Sequence, residues 1–91
     1  MAENQEDRAL RQRVKDAANE MRQARAGWGT SQETANTYLA ARQHQLDVLK
    51  EVRAINPEIS VGGGRIDDAI EAVARNVADI EAEIPKLKPG Y

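Results

Sequence analysis

The most regular pattern in the chain is a run of apolar residues, spaced alternately four and three positions apart, near the C-terminal end. The apolar positions are Ile66, Ile70, Val73, Val77, Ile80, Ile84 and Leu87. A repeat of about 3.5 residues places these side chains in one stripe along a helix, and such a stripe is buried against other helices. The pattern predicts a helix over about 65–84, followed by a short tail over 85–91.

The same spacing occurs near the start of the chain. It runs through Leu10, Val14, Ala17, Met21 and Ala24. This stripe predicts a first helix over about 4–26. Asn4 is the predicted N-cap, and Glu6 and Asp7 suit the positive end of the helix dipole. Gly27 is expected just past the end of the helix.

A second helix is predicted over about 30–55. Thr30 and Glu33 have the spacing of a capping box, and the Asn56-Pro57 pair ends the pattern. Its apolar residues are Tyr38, Leu39, Ala41, Leu46, Val48, Leu49, Val52 and Ile55. They cover an arc of roughly 200°, which is wide for a surface helix. An arc of this width is typical of a helix that contacts two neighbours, so the second helix is expected in the middle.

These elements predict an all-α fold, an antiparallel three-helix bundle in a single domain over 1–91. The connection over 56–64, with three consecutive glycines, is expected to be flexible, while Ile59 and Val61 fold back over the end of the bundle. The core material is thin, since there is no Phe, one Trp and two Tyr, against fifteen Ala. A core of this kind supplies only ~3–5 kcal/mol. The alternative is therefore an extended helical hairpin that completes its core by oligomerisation.

Charge is distributed unevenly between the first and third helices. Between positions 8 and 25 there are six basic and two acidic residues, a net charge of +4. Between positions 65 and 84 there are six acidic and two basic residues, a net charge of −4. Opposite charges flanking two apolar stripes help to select partner and orientation. The first and third helices are therefore expected to lie side by side and to pair through these charges.

The basic residues of the first helix form the first candidate site. Arg8, Arg11, Lys15 and Arg22 fall within about 60° of one another, with Arg25 nearby. Such a row suits the phosphates of a nucleic acid or an acidic protein surface. The preferred interpretation is a solvated face or the partner of the acidic third helix, because no aromatic residues interleave the basic ones.

Two further residues are candidates for an interaction surface. Arg42 falls inside the apolar arc of the second helix, close to Gln45. A polar residue in such a position marks a self-association surface, or it lies along the helix and extends its charge outward. Trp28 lies between two glycines and is expected to close the end of the core, with an interface anchor as the alternative.

Residue types with catalytic or metal-binding chemistry are sparse. The chain has one histidine, His44, expected on the surface, and no cysteine. The three glycines at 62–64 lack the Lys-Ser/Thr pair of a phosphate-binding loop. We therefore predict no catalytic residue, no cofactor site and no metal site.

The expected function is that of a non-enzymatic helical interaction module. A structural or adaptor component of a larger assembly, such as a phage or bacterial particle, fits the pattern. Its partner is expected to be a second copy of the chain or another helical protein. The alternative is a small regulator or inhibitor whose basic first helix docks on nucleic acid or an acidic protein surface. No apolar run approaches the ~20 residues of a membrane span, and the N-terminus is polar and acidic, so a cytoplasmic location is expected.

Overall fold

A computed structural model describes residues 5–26 and 32–87 of the chain. Three α-helices account for most of them: α1 over Gln5–Ala26, α2 over Gln32–Ile55 and α3 over Ile66–Glu83. Two short strands, β1 over Ser60–Val61 and β2 over Gly64–Arg65, lie between α2 and α3. A single 3-10 turn, Ile84–Lys86, follows α3. The helical elements fall where the apolar periodicity predicts them.

The helix ends agree with the predicted positions wherever they are described. α2 ends at Ile55, immediately before Asn56-Pro57, and α3 begins with Asp67 and Asp68 in its first turn. The predicted caps at Asn4, Gly27 and Thr30, and the side chain of Trp28, lie outside the described residues.

The predicted apolar stripes form the core of the bundle. Ten buried residues from α1, α2, α3 and the connection make up its larger part: Leu10, Ala17, Val48, Leu49, Val52, Ile59, Val61, Ile66, Val73 and Val77. A smaller cluster of Met21, Tyr38 and Ile80 lies towards the other end. Because all three helices contribute to the larger cluster, the antiparallel three-helix bundle is confirmed.

α2 lies in the middle, as its wide apolar arc predicts. Its backbone packs closely against α1 on one side and α3 on the other, whereas α1 and α3 lack such a close mutual approach. Ile55, which the predicted arc includes, is 51% exposed at the end of the helix and does not belong to the buried face. Ala35, with no exposed surface, belongs to the buried face instead. Helix periodicity cannot detect where a neighbouring helix stops covering a face.

The connection between α2 and α3 differs from the flexible segment that its glycines predict. β1 and β2 pair in antiparallel register, with Ser60 opposite Arg65 and Val61 opposite Gly64. Gly62 and Gly63 form the two-residue turn with φ of 59° and 82°. Positive φ at both central residues is typical of a type I′ hairpin turn, which glycine adopts without steric cost. The hairpin holds Ile59 and Val61 in the core, with 3% and 9% exposure, as predicted.

The chain after α3 returns to the start of α2. Ile84 and Leu87 are half-buried, and the Gln32 side-chain amide donates a hydrogen bond to the Leu87 carbonyl oxygen at 3.0 Å. Pro85 lies inside the 3-10 turn, where its missing N–H is tolerated. This contact continues the α3 stripe to Leu87 and closes the end of the bundle away from the hairpin.

Candidate interaction groove on the first helix

A groove of about 370 Å³ lies between α1 and the hairpin. Seven residues line it: Arg11, Val14, Lys15, Ala18, Arg22, Val61 and Gly62. Val14 and Ala18 are half-buried and Val61 is buried, so these aliphatic side chains form its floor. Arg11, Lys15 and Arg22 are exposed and form its edge. The groove therefore combines an aliphatic surface with three positive charges, and we name it the α1 groove.

α1 and the hairpin form the two walls of the groove, and hydrogen bonds hold these walls together. The Arg11 Nε donates a hydrogen bond to the Ser60 carbonyl oxygen at 3.0 Å, across 49 residues of sequence. Nearby, the Asn56 side-chain amide donates to an Asp7 carboxylate oxygen at 2.8 Å. These contacts position Val61 beside Val14. The groove depends on the hairpin, since the glycine turn brings β1 back against α1.

The basic residues predicted as a row are brought together on one side of α1. Arg11, Lys15 and Arg22 fall within about 40° of one another around the helix and meet at the groove. Arg8 and Arg25 are exposed on the same helix but do not line the groove. Three residues of the predicted basic row, Arg11, Lys15 and Arg22, therefore line the groove.

The expected pairing of the first and third helices through their charges is not what the structure shows. Arg13 of α1 forms its ion pair with Glu51 of α2, and Asp67 of α3 forms its ion pair with Arg53 of α2. α1 and α3 both lie closer to α2 than to each other. Arg13 and Asp67 therefore pair with charged residues of the central helix α2, although the charge pattern predicts pairing between α1 and α3. Sequence cannot resolve this, because flanking positions face whichever helix is nearest.

Arg42 lies in a polar layer between α2 and α3. It is half-buried, its Nη1 donates to Gln45 Oε1 at 2.7 Å, and its Nε donates to the Tyr38 hydroxyl at 3.3 Å. The guanidinium carbon also lies 5.8 Å from the centroid of the Tyr38 ring. The Tyr38 hydroxyl donates in turn to Asn76 Oδ1 of α3 at 3.4 Å. Arg42 is thus bonded within its own bundle.

The same layer contains Gln45, which is the one buried polar residue in the part of the chain that the structure describes, with 8% exposure. A buried side-chain amide destabilises the fold unless it is hydrogen-bonded. The Arg42 contact meets that need. The layer is joined to α3 by the hydrogen bond from the Tyr38 hydroxyl to Asn76.

His44 is exposed, and its Nε2 lies 3.6 Å from a Glu20 carboxylate oxygen on α1. Asp68, Glu71, Ala72 and Arg75 line a shallow depression of about 150 Å³ on α3. Within residues 5–26 and 32–87, no three His, Cys, Asp or Glu side chains come together to hold a metal ion.

Sequence analysis missed the aliphatic half of the α1 groove. Val14 belongs to the predicted core stripe of α1, and Ala18 lies outside the predicted apolar stripes. Val61 is predicted only to cover the end of the bundle. Helix periodicity does place Val14 and Ala18 at the edge of the apolar stripe of α1, next to Arg11, Lys15 and Arg22. The sequence does not show where the hairpin lies, and the hairpin forms the other wall of the groove.

Comparisons of the chain with models of known protein families, with curated proteins and with solved structures found no match. In the described part of the chain, no helix has both the length and the apolar character needed to cross a bilayer.

Proposed function

We propose that this protein is a non-enzymatic helical interaction module whose α1 groove receives an acidic segment of a protein partner. The observation that carries the proposal is the combination of an aliphatic floor with three basic side chains at its edge. Grooves of this composition suit an amphipathic helix, which places its apolar face on the floor and its charged residues along the edge. A structural or adaptor role in a larger assembly, phage or bacterial, is the setting that we infer for such contacts.

The physical argument separates affinity from specificity. Covering Val14, Ala18 and Val61 removes aliphatic surface from water, which stabilises the complex by about 25 cal/mol per Å² before ordering costs. The three basic side chains are exposed. Each ion pair they form therefore contributes only ~0–1 kcal/mol. Their main effect is to favour acidic partners and to speed association.

Nucleic acid is the second candidate, because Arg8, Arg11, Lys15 and Arg22 are all exposed on α1. A phosphate backbone requires the charges but has no use for an aliphatic floor. Bases would require stacking partners, and the residues that line the groove include no aromatic side chain. The groove composition therefore favours a protein partner.

The test compares three fluorescent probes by anisotropy. The first is an amphipathic helical peptide with Leu at i, i+4 and i+7 and Glu on its polar face. The second has Lys in place of Glu, and the third is a short DNA duplex. We expect the acidic peptide to bind most tightly. Lys15→Glu with Arg22→Glu should weaken it at least about tenfold, whereas the control Lys50→Glu, exposed on α2, should not.

Each result has a distinct meaning. Tighter binding of the duplex, with strong salt dependence and loss in the same variant, would replace the protein partner with nucleic acid. Equal binding of acidic and basic peptides would show that charge does not select the partner. No binding of any probe would refute the proposal that the α1 groove is a docking site.

A further inference from the structure

We propose that the acidic segment received by the α1 groove belongs to α3 of a second copy of the chain, in a two-fold symmetric dimer. This inference rests on the proposed function of the groove and names its occupant. It follows from the separation of charge between two helices that do not pack closely together. Over its whole length α1 has six basic and four acidic residues, a net charge of +2, and α3 has six acidic and one basic residue, a net charge of −5.

The acidic occupant is the outer stripe of α3. Asp68 and Asp79 are exposed, and Ala72 and Arg75, also exposed, lie between them on the same stripe, where Arg75 pairs with Glu71. The stripe is about 120° or more from Val73 and Val77 around the helix, apart from Ala72, which is about 100° from Val73. Among the α3 side chains that are bonded to α2, Asp67 and Glu81 are at least about 100° from Asp68, and Asn76 is about 80° from it. The two aspartates therefore point away from their own bundle.

Spacing along the two helices matches. Arg11 and Arg22 are eleven residues apart, and so are Asp68 and Asp79. Eleven residues correspond to about 16 Å along a helix, and both ends of the interval return to the same side. Placed parallel, the two stripes set Lys15 opposite Ala72 and Arg75 opposite Ala18, so that each of these basic residues faces a small residue. Placed antiparallel, they would set Lys15 opposite Arg75, which repels it.

Heights along the bundle also match. Arg13 contacts Glu51 and Asp67 contacts Arg53. Because Glu51 and Arg53 are two residues apart on α2, Arg13 and Asp67 lie at nearly the same height. Arg11 and Asp68 are then level to within about one helical turn, ~5 Å.

Because Arg11 and Asp68 lie at nearly the same height, the symmetry of the dimer follows. A two-fold axis parallel to the helices keeps every height and every helix direction unchanged. It therefore brings α1 of one copy against α3 of the other at the required register, and it does so twice. The interface is self-complementary and closed, as in most homodimers. Its ion pairs are exposed, so the dimer is expected to be weak and sensitive to salt.

The experiment is sedimentation velocity on the full chain and on two charge-reversed variants. The first variant is Lys15→Glu with Arg22→Glu, and the second is Asp79→Lys. We expect the wild-type chain to reach twice its mass of 10.1 kDa as concentration rises in about 0.1 M salt. It should return to a monomer in about 1 M salt, where the screening length is ~3 Å.

Mixing the variants gives the decisive result. Each variant alone opposes like charges across the interface, so its dissociation constant should rise at least about tenfold. In an equimolar mixture, both α1–α3 contacts are again between opposite charges, and the dimer should return. Matched controls on the exposed surface of α2, Lys50→Glu and Asp47→Lys, should dimerise as the wild-type chain does. Circular dichroism verifies folding, and the wild-type salt titration remains decisive if a variant loses helicity.

Three outcomes would overturn the inference: a wild-type chain that stays monomeric at all concentrations, a dimer insensitive to both salt and reversal, or variants that fail to recombine. A monomer that still binds the acidic peptide would leave the proposed function intact and assign the groove to a foreign partner. A chain that neither dimerises nor binds the peptide would refute both.

Discussion

Arg42 shows how a charged side chain in an apolar arc can be hydrogen-bonded within its own helix. Its guanidinium is held by Gln45 and by the Tyr38 hydroxyl, which donates in turn to Asn76. The sequence marked Arg42 and Gln45 as unusual because both fall inside the arc. It could not show that Tyr38 links them to α3, because Asn76, which accepts from the Tyr38 hydroxyl, is distant in sequence and falls on no pattern.

This layer predicts a non-additive pair of substitutions. Arg42→Met keeps the length of the side chain but removes the donor to Gln45, so it should lower the free energy of unfolding by about 1–2 kcal/mol. Adding Gln45→Leu removes the unsatisfied amide and should restore most of that loss. Urea unfolding followed by circular dichroism measures both. If the double variant were less stable than Arg42→Met, the hydrogen bond would not be the main role of the pair.

The hairpin is the element that most changes the picture drawn from the sequence. A run of three glycines reads as a flexible connection, because glycine populates positive and negative φ about equally readily. Here two of them have distinct positions in a turn, and the third pairs with Val61 in the strand register. The hairpin presses Val61 against α1 and thereby forms one wall of the α1 groove.

Gly63 and Gly64 offer a matched test of this element. At neither position would a Cβ meet another atom within 4 Å, but only Gly63 has a positive φ, at 82°. Gly63→Ala should therefore lower the free energy of unfolding by about 1 kcal/mol or more through backbone strain, whereas Gly64→Ala should leave it nearly unchanged. Thermal or urea unfolding of the two variants provides the comparison. Equal effects would show that the turn conformation contributes nothing to stability.

The bundle as a whole depends on its central helix. α2 packs closely on both α1 and α3, and Leu49, with 2% exposure, lies in the core that all three helices share. A chain of this size has only ~3–5 kcal/mol of stability from its core. Loss of contacts at α2 therefore affects all three helices together.

Leu49→Ala tests this dependence. The loss of a fully buried leucine costs about 2–5 kcal/mol, which is comparable to the whole stability, so helical signal from α1 and α3 should disappear together with that of α2. Ile55→Ala on the same helix is the control, because its side chain is 51% exposed and its loss should cost little. Circular dichroism at the helical minimum measures both. Retention of about two thirds of the signal in Leu49→Ala would show that α1 and α3 pair without α2.

The sequence by itself determined three helices, their apolar stripes, the central place of α2 and the burial of Ile59 and Val61. Those features follow from periodicity and from the width of an apolar arc, which are local properties of the chain. The hairpin, the partners of Arg13 and Asp67, and the aliphatic floor beneath Lys15 and Arg22 required the tertiary structure. Each of these depends on which residues distant in sequence meet at one height along the bundle, and heights are set by packing between helices.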